Sequence, residues 1–235
     1  MAFVETRWSM VLRAGLDTDE GREALNTLCQ QYIRPLYVYL RKVGYGVDQS
    51  EEYLQSFFAK LIERNFVAAA DPERGRFRSF LLTALIRSVQ NDKRDSTRIK
   101  RGGHVSLLSL SDYEFLESIP DNKLSPDQHY ERQWALALLE RALKNVEEEY
   151  ASRGKGEIFQ EMHGVLALNE KSLDYSAVGA RLGLESSRLR VLAHRLRKDF
   201  RRHVLSEIYE TVENPDDVQE ELAYLYQALS GTATL

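Results

Sequence analysis

The sequence predicts an all-α fold: two helical domains joined by a flexible linker, the second carrying a helix-turn-helix. Three observations predict it. Apolar residues recur three and four apart through most of the chain, the spacing of buried helix faces. No segment holds the strict alternation of a half-buried strand. Between Gly102 and about Asp127 the periodicity lapses, and Gly, Ser and Pro mix with scattered apolar residues in GGHVSLLSLSDYEFLESIPDNKLSPD. The expected division is a first domain over 1–101, a linker over 102–127 and a second domain over 128–235.

Each element has its own warrant. Thr6 to Ala14 can form a short helix with Trp8, Val11 and Leu12 on one side. Glu20 to Val43 reads as a long helix on Leu25, Leu28, Tyr32, Leu36, Tyr39 and Leu40, with Pro35 expected to kink or break it. GYGVDQ is a turn, and Asp48 or Ser50 would cap the next helix, Glu51 to Asn65. That helix has Leu54, Phe57, Phe58, Leu61 and Ile62 inward and Glu51, Glu52, Gln55, Ser56, Lys60 and Glu63 outward. Phe77 to about Arg94 buries Phe77, Phe80, Leu81, Ala84, Leu85, Ser88 and Val89, then runs into the basic NDKRDSTRIKRGG. Helices resume at Gln128, where Trp134, Leu138, Ala142 and Val146 form one row. Another spans Glu157 to Leu168. After ENPDD a last helix carries Leu222, Leu225, Tyr226 and Leu229, expected to pack on the second domain.

The stretch Ser186 to Ile208, SSRLRVLAHRLRKDFRRHVLSEI, is the most informative. Leu189, Leu192, Ala193, Leu196, Phe200 and Val204 share one helix face; Arg190, His194, Arg195, Lys198, Arg201 and Arg202 share the other. From Arg188 to Arg202 there are seven Lys or Arg against one Asp. The short amphipathic YSAVGARLGLE precedes it. Helix, Gly-containing turn and long basic helix is the pattern of a DNA reader.

The charge distribution agrees. The 235 residues carry a net charge of only −4, yet Arg74 to Arg101 holds nine Lys or Arg against Asp92 and Asp95. After Arg202 there are only acids: Glu207, Glu210, Glu213, Asp216, Asp217, Glu220 and Glu221. Two basic blocks offset by acidic segments imply local electrostatic footprints. The tail acids could fold over the basic helix and compete with DNA. The lone cysteine, Cys29, excludes a disulfide scaffold, fits a reducing cytoplasm and reads as a small core residue. No long uncharged apolar run suggests a membrane span, and MAFVETRWSM does not read as a signal peptide.

Three stretches together resemble a known family. LCQQYIRPLYVYLRKVGYGVDQSEEYLQSFFAKLIERN followed by DPERGRFRSFLLTALIRSVQNDKRD resembles the second conserved region of bacterial sigma factors. YSAVGARLGLESSRLRVLAHRLRKDFRRHVLSEI resembles their fourth region. The opening TRWS, the phrase DPERGRFRSFLLTAL and the tail DDVQEELAYLYQALS are similar to the extracytoplasmic-function sigma factors of planctomycete-like bacteria. The resemblance implies a cytoplasmic, dissociable subunit of RNA polymerase that directs promoter recognition and transcription initiation, without catalysis or cofactor of its own. Its partners would be core RNA polymerase and promoter DNA.

The resemblance also distributes roles. Ser187, Arg188, Arg190, Val191, His194 and Arg195 would enter the major groove of the distal promoter element, and Lys198, Arg201 and Arg202 would meet phosphates. Arg87, Asn91, Lys93, Arg94, Arg98, Lys100 and Arg101 would hold the proximal element as a single strand, although DKRDSTRIKR offers no aromatic for stacking. Glu51, Glu52, Gln55, Ser56 and Lys60 would face polymerase. Some relatives with weakened acidity there are switched on by a Ser/Thr kinase, which makes Ser50 and Ser56 candidate phosphorylation sites. The linker and tail could bind an anti-sigma factor.

An enzyme has little support. The five histidines are scattered without metal-ligand spacing, no Gly-rich phosphate loop or nucleophile motif occurs, and the adjacent Glu51 and Glu52 diverge on a helix. Two alternatives stand: a helix-turn-helix regulator acting without polymerase, and a sigma-like adaptor acting only through protein contacts.

Overall fold

The computed structural model describes residues 14, 16, 18–63, 76–95, 123–166, 173–209, 212 and 215–231. Among them every regular element is helical, as expected, and no helix is long and apolar enough to cross a membrane. Two compact units emerge, Met1–Ala137 with Tyr209–Leu235, and Leu138–Ile208. The expected Thr6 to Ala14 helix, with Trp8, lies outside the described residues save for Ala14, and most of the linker lies outside them too.

In the first unit α1 is Asp19–Val43. Thr18 caps it, its hydroxyl accepting from the Gly21 amide at 3.0 Å. Pro35 does not break the helix; it is buried inside it. Gly44, at φ 108°, ends it in the left-handed conformation, and Tyr45 N–H reaches back to the Leu40 carbonyl at 3.1 Å. Cys29 is buried, and that burial pushes its thiol up to about 12, so it is a core residue as expected.

Helix α2, Val47–Glu63, starts four residues earlier than expected. Asp48 and Ser50 are therefore inside the helix, not capping it. Ser50 is fully buried, and its hydroxyl donates to the Gly46 carbonyl at 2.8 Å. The buried stripe is Ser50, Leu54, Phe57, Phe58 and Leu61; Ile62, expected inward, is 45% exposed. Helix α3, Phe77–Asp95, buries Phe77, Leu81, Leu82, Leu85 and Val89. It also buries Arg78, which periodicity alone could not place.

Helix α4, Pro126–Ser152, begins two residues before the expected start. The cause is a capping box in SPDQ. Ser125 N–H donates to Gln128 Oε1 at 2.9 Å, Gln128 N–H returns to Ser125 Oγ at 3.2 Å, and Pro126 takes the first helical position. Residues through Ala137 belong to the first unit.

The remaining helix of this unit, Val218–Ser230, packs differently from the expectation. Its buried residues are Val218, Glu221, Tyr224, Leu225 and Ala228, whereas Tyr226 is 64% exposed. The reason is Arg78. This guanidinium, 2% exposed, donates to Glu131 of α4 at 2.9 Å and to Glu221. It stacks 3.9 Å from the centre of the Trp134 ring and 4.5 Å from that of Tyr224. Arg76 adds ion pairs to Glu220 at 3.1 Å and Glu221 at 3.0 Å. Burial works to lower the Arg78 pKa, but the two carboxylates outweigh it and the guanidinium stays charged. Two of the tail acids are thus committed to arginines of the first unit, which leaves the competition reading without those charges.

The second unit starts from the rest of α4. It continues with α5, Gly156–Met162, and a 3₁₀ turn, His163–Leu166. Then come α6, Tyr175–Leu182, and α7, Ser186–Tyr209, whose final residue already belongs to the first unit. The Val218–Ser230 helix is α8. The core of the second unit joins Val146, Tyr150, Phe159, Met162, Val178, Leu189, Ala193 and Leu196. Each fully buried leucine of such a cluster contributes about 1.5–3 kcal/mol.

Candidate nucleic-acid interface

The α6–α7 pair is built by local rules. Asp174 caps α6, its Oδ1 accepting from the amides of Ser176 at 3.0 Å and Ala177 at 3.1 Å. Gly183 ends the helix at φ 63°, and the Leu184 amide donates to the Gly179 carbonyl at 3.0 Å. Gly179 is required by space: a Cβ there would lie 2.6 Å from the Leu184 carbonyl oxygen. This close approach fixes how the turn leaves α6 and where α7 begins. Leu189, Ala193 and Leu196 then seat α7 on the core, with Leu192 and Phe200 half-buried against it and Val204 buried further along the helix.

Seating that face leaves the other in solvent. Ser187, Arg188, Arg190, Val191, His194, Arg195, Lys198, Arg201 and Arg202 are all exposed, and Val191 is 51% exposed. Helix stability does not account for this composition. Arg188 and Arg190 stand near the N-terminus of α7, where the helix dipole disfavours cations, and the first turn has no acid to offset them. Arg197 with Arg201 and Lys198 with Arg202 are like-charge pairs four apart, each costing about 0.2–0.5 kcal/mol. Among the described residues no ion pair is formed by Arg188, Arg190, Arg195, Lys198 or Arg201.

Arg202 differs. It donates to Glu149 at 2.6 Å and to Asp199 at 3.4 Å. His203 Nε2 also lies 2.6 Å from Glu149. The hydrogen bonds from His203 and then Arg202 lower the Glu149 carboxyl to about 2. Arg202 is thus partly a fastener between α7 and α4 within the second unit. Arg197, which donates to the Val165 carbonyl at 3.3 Å, is a second fastener.

The second basic block flanks a cavity of about 350 Å³ between α2 and α3. Arg87, Asn91 and Arg94 line it together with Phe57, Phe80 and Ala84. Those four basic-end residues that are described, Arg87, Asn91, Lys93 and Arg94, are exposed. Arg98, Lys100 and Arg101 lie outside the described residues. Of the two phenylalanines, Phe57 is buried as expected and Phe80 is half-buried, so the cavity wall is an edge of the core.

The expected polymerase face is narrower than the sequence suggested. Ser56 donates to Asp92 at 3.1 Å, and Lys60 pairs with the same carboxylate and approaches Ser88 at 3.5 Å. Both turn toward α3 instead of outward, because Asp92 is the nearby acid. Glu51, Glu52 and Gln55 remain, of which Glu52 is exposed and the other two are half-buried. A phosphate on Ser50 has no access without unwinding the start of α2, since that hydroxyl is buried. Among the described residues no cluster of His, Cys, Asp and Glu could hold a metal.

No protein family matches the chain, and neither a curated protein nor a solved structure matches it.

Proposed function

We propose that this chain is an RNA polymerase sigma factor of the extracytoplasmic-function kind, with two separate contacts to promoter DNA. The observation that carries the reading is the exposed basic face of α7, mounted behind a short capped helix and a tight glycine turn. Arg188, Arg190 and Arg195 are the guanine readers, each bidentate pair worth about 1–3 kcal/mol of discrimination. Val191 meets a thymine methyl. Lys198 and Arg201 bind phosphates. At the other contact, Arg87, Asn91 and Arg94 hold the melted strand beside the Phe57–Phe80 cavity, which has room for an extruded base.

The test is transcription in vitro with core RNA polymerase on a genomic library, with transcript starts mapped. Starts sharing two short upstream elements are expected. Binding to duplex fragments without retention of core polymerase in a pull-down would favour the polymerase-free regulator. That second reading has one observation behind it, the engagement of Ser56 and Lys60 with Asp92.

A further inference from the structure

Single-strand binding needs cations along the backbone and a ring for bases to stack on. The basic segment after Asn91 supplies the first and not the second. The fold brings the missing rings from elsewhere. Helices α2 and α3 run in opposite directions, Ser56 meeting Asp92 and Lys60 meeting Ser88 and Asp92. The turn before α2 therefore lies at the basic end of α3. There Tyr45 and Tyr53 pack edge to face, with ring centroids 5.1 Å apart and planes at 78°. Lys93 Nζ lies 4.7 Å from the centre of the Tyr45 ring. Both rings are half-buried and Lys93 is exposed.

We propose that Tyr45 and Tyr53 form the stacking step for an unpaired base of the strand that Lys93 and Arg94 hold, an inference resting on the reading of this end of α3 as a strand holder. The cation over Tyr45 fixes that ring in place before the nucleic acid arrives, so little side-chain entropy remains to be lost on binding. Electrostatics set the direction of approach. Asp48 and Glu52 are exposed on α2 and repel phosphate from that side, whereas the charge of Asp92 is offset by Lys60. The backbone must therefore run along the α3 side, with a base turned across toward the rings. Purines, with the larger π-face, bind best.

The experiment compares two labelled single strands of roughly 12 nucleotides, within the site size of single-strand binders. One is oligo(dA); the other has the same phosphates but abasic sugars. Binding of the full chain is read by fluorescence anisotropy at low salt. The wild type is expected to prefer oligo(dA). Tyr45→Ala and Tyr53→Ala should each weaken that binding by about five- to 150-fold, the range for one stacked base, and should leave the abasic strand unchanged. Tyr45→Phe and Tyr53→Phe keep the rings and should bind as the wild type does. Lys93→Ala should weaken both strands. Equal wild-type affinity for the two strands, or alanine variants as tight as wild type on oligo(dA), overturns the stacking step alone. Wild-type failure to bind either strand overturns the strand-holding reading as well. Alanine variants that lose core polymerase and keep oligo(dA) make this corner a protein contact and overturn the proposal.

Discussion

Replacing Arg78 by Met leaves the buried Glu131 carboxylate without a cation and Glu221 with Arg76 alone. Glu131 is fully buried and Glu221 is 2% exposed. Removing one partner from a buried ion pair typically costs about 3–5 kcal/mol. Here the loss falls on both acids, and the two cation–π contacts to Trp134 and Tyr224 go with it. Glu221→Gln is milder, because Arg78 keeps Glu131; the loss of a charged hydrogen bond is worth about 1.5–3 kcal/mol. The two variants also differ in pH dependence. Burial already raises the Glu131 carboxyl, with Arg78 pulling the other way. Without Arg78 the folded Glu131 carboxyl rises further above its unfolded value. The folded state then binds more protons than the unfolded one, so stability falls as pH rises through that window and is regained as pH falls. Urea unfolding followed by Trp134 fluorescence, in a Trp8→Phe background, reports the first unit. The Arg78→Met deficit should be the larger at pH 7 and should shrink toward pH 5. The apolar triple variant Arg78→Met, Glu131→Leu, Glu221→Leu should recover most of it, since no unpaired charge remains. Equal deficits for the two single variants, or a pH-independent Arg78→Met deficit, would refute the reasoning.

Four further outcomes follow from the same geometry. Gly179→Ala should destabilise the second unit by about 1–3 kcal/mol through the clash with Leu184, whereas Gly183→Ala should cost about 1–2 kcal/mol for its left-handed backbone alone; urea midpoints compare them. Glu149 has its folded pKa lowered to about 2 from the ordinary value of 4.5, so the stability it lends is present above that ordinary value and lost as pH falls toward 2; Glu149→Gln should flatten the acid limb of a stability profile of the second unit. Lys198→Ala and Arg201→Ala should each lower the salt slope of duplex binding by about one, evenly across sequences, while Arg190→Ala should cost about 1–3 kcal/mol at one base position. Ending the chain after Asn214 should destabilise the first unit and give no gain in duplex affinity; a gain would revive competition by the tail.

What the sequence made legible was whatever one helix decides by itself. The face of α7 follows from the spacing of Leu189, Ala193 and Leu196, and the exposure of its arginines follows in turn. The capping box SPDQ was legible in principle but sat in a segment whose composition read as linker. The tail register was not legible. Tyr224 and Tyr226 are equally plausible inward residues by periodicity, and the choice is made by Arg78 and Trp134, far away in sequence. Ser56 and Lys60 were misplaced for the same reason, since only the pairing of α2 with α3 introduces Asp92.

The distance along the chain between Arg78 and Glu221, 143 residues, also has a meaning in time. At about 5–20 residues per second of synthesis, Arg78 leaves the ribosome roughly 7–30 s before its carboxylate partner. For that interval α3 has its hydrophobic stripe but not the helix that neutralises its arginines, while the whole of the second unit emerges and can fold. The first unit to begin is thus the last to be completed. A ribosome that stalls before Glu221 releases a chain whose basic end of α3 is already made but whose socket stands open, and such products should be marked for proteolysis ahead of the finished protein.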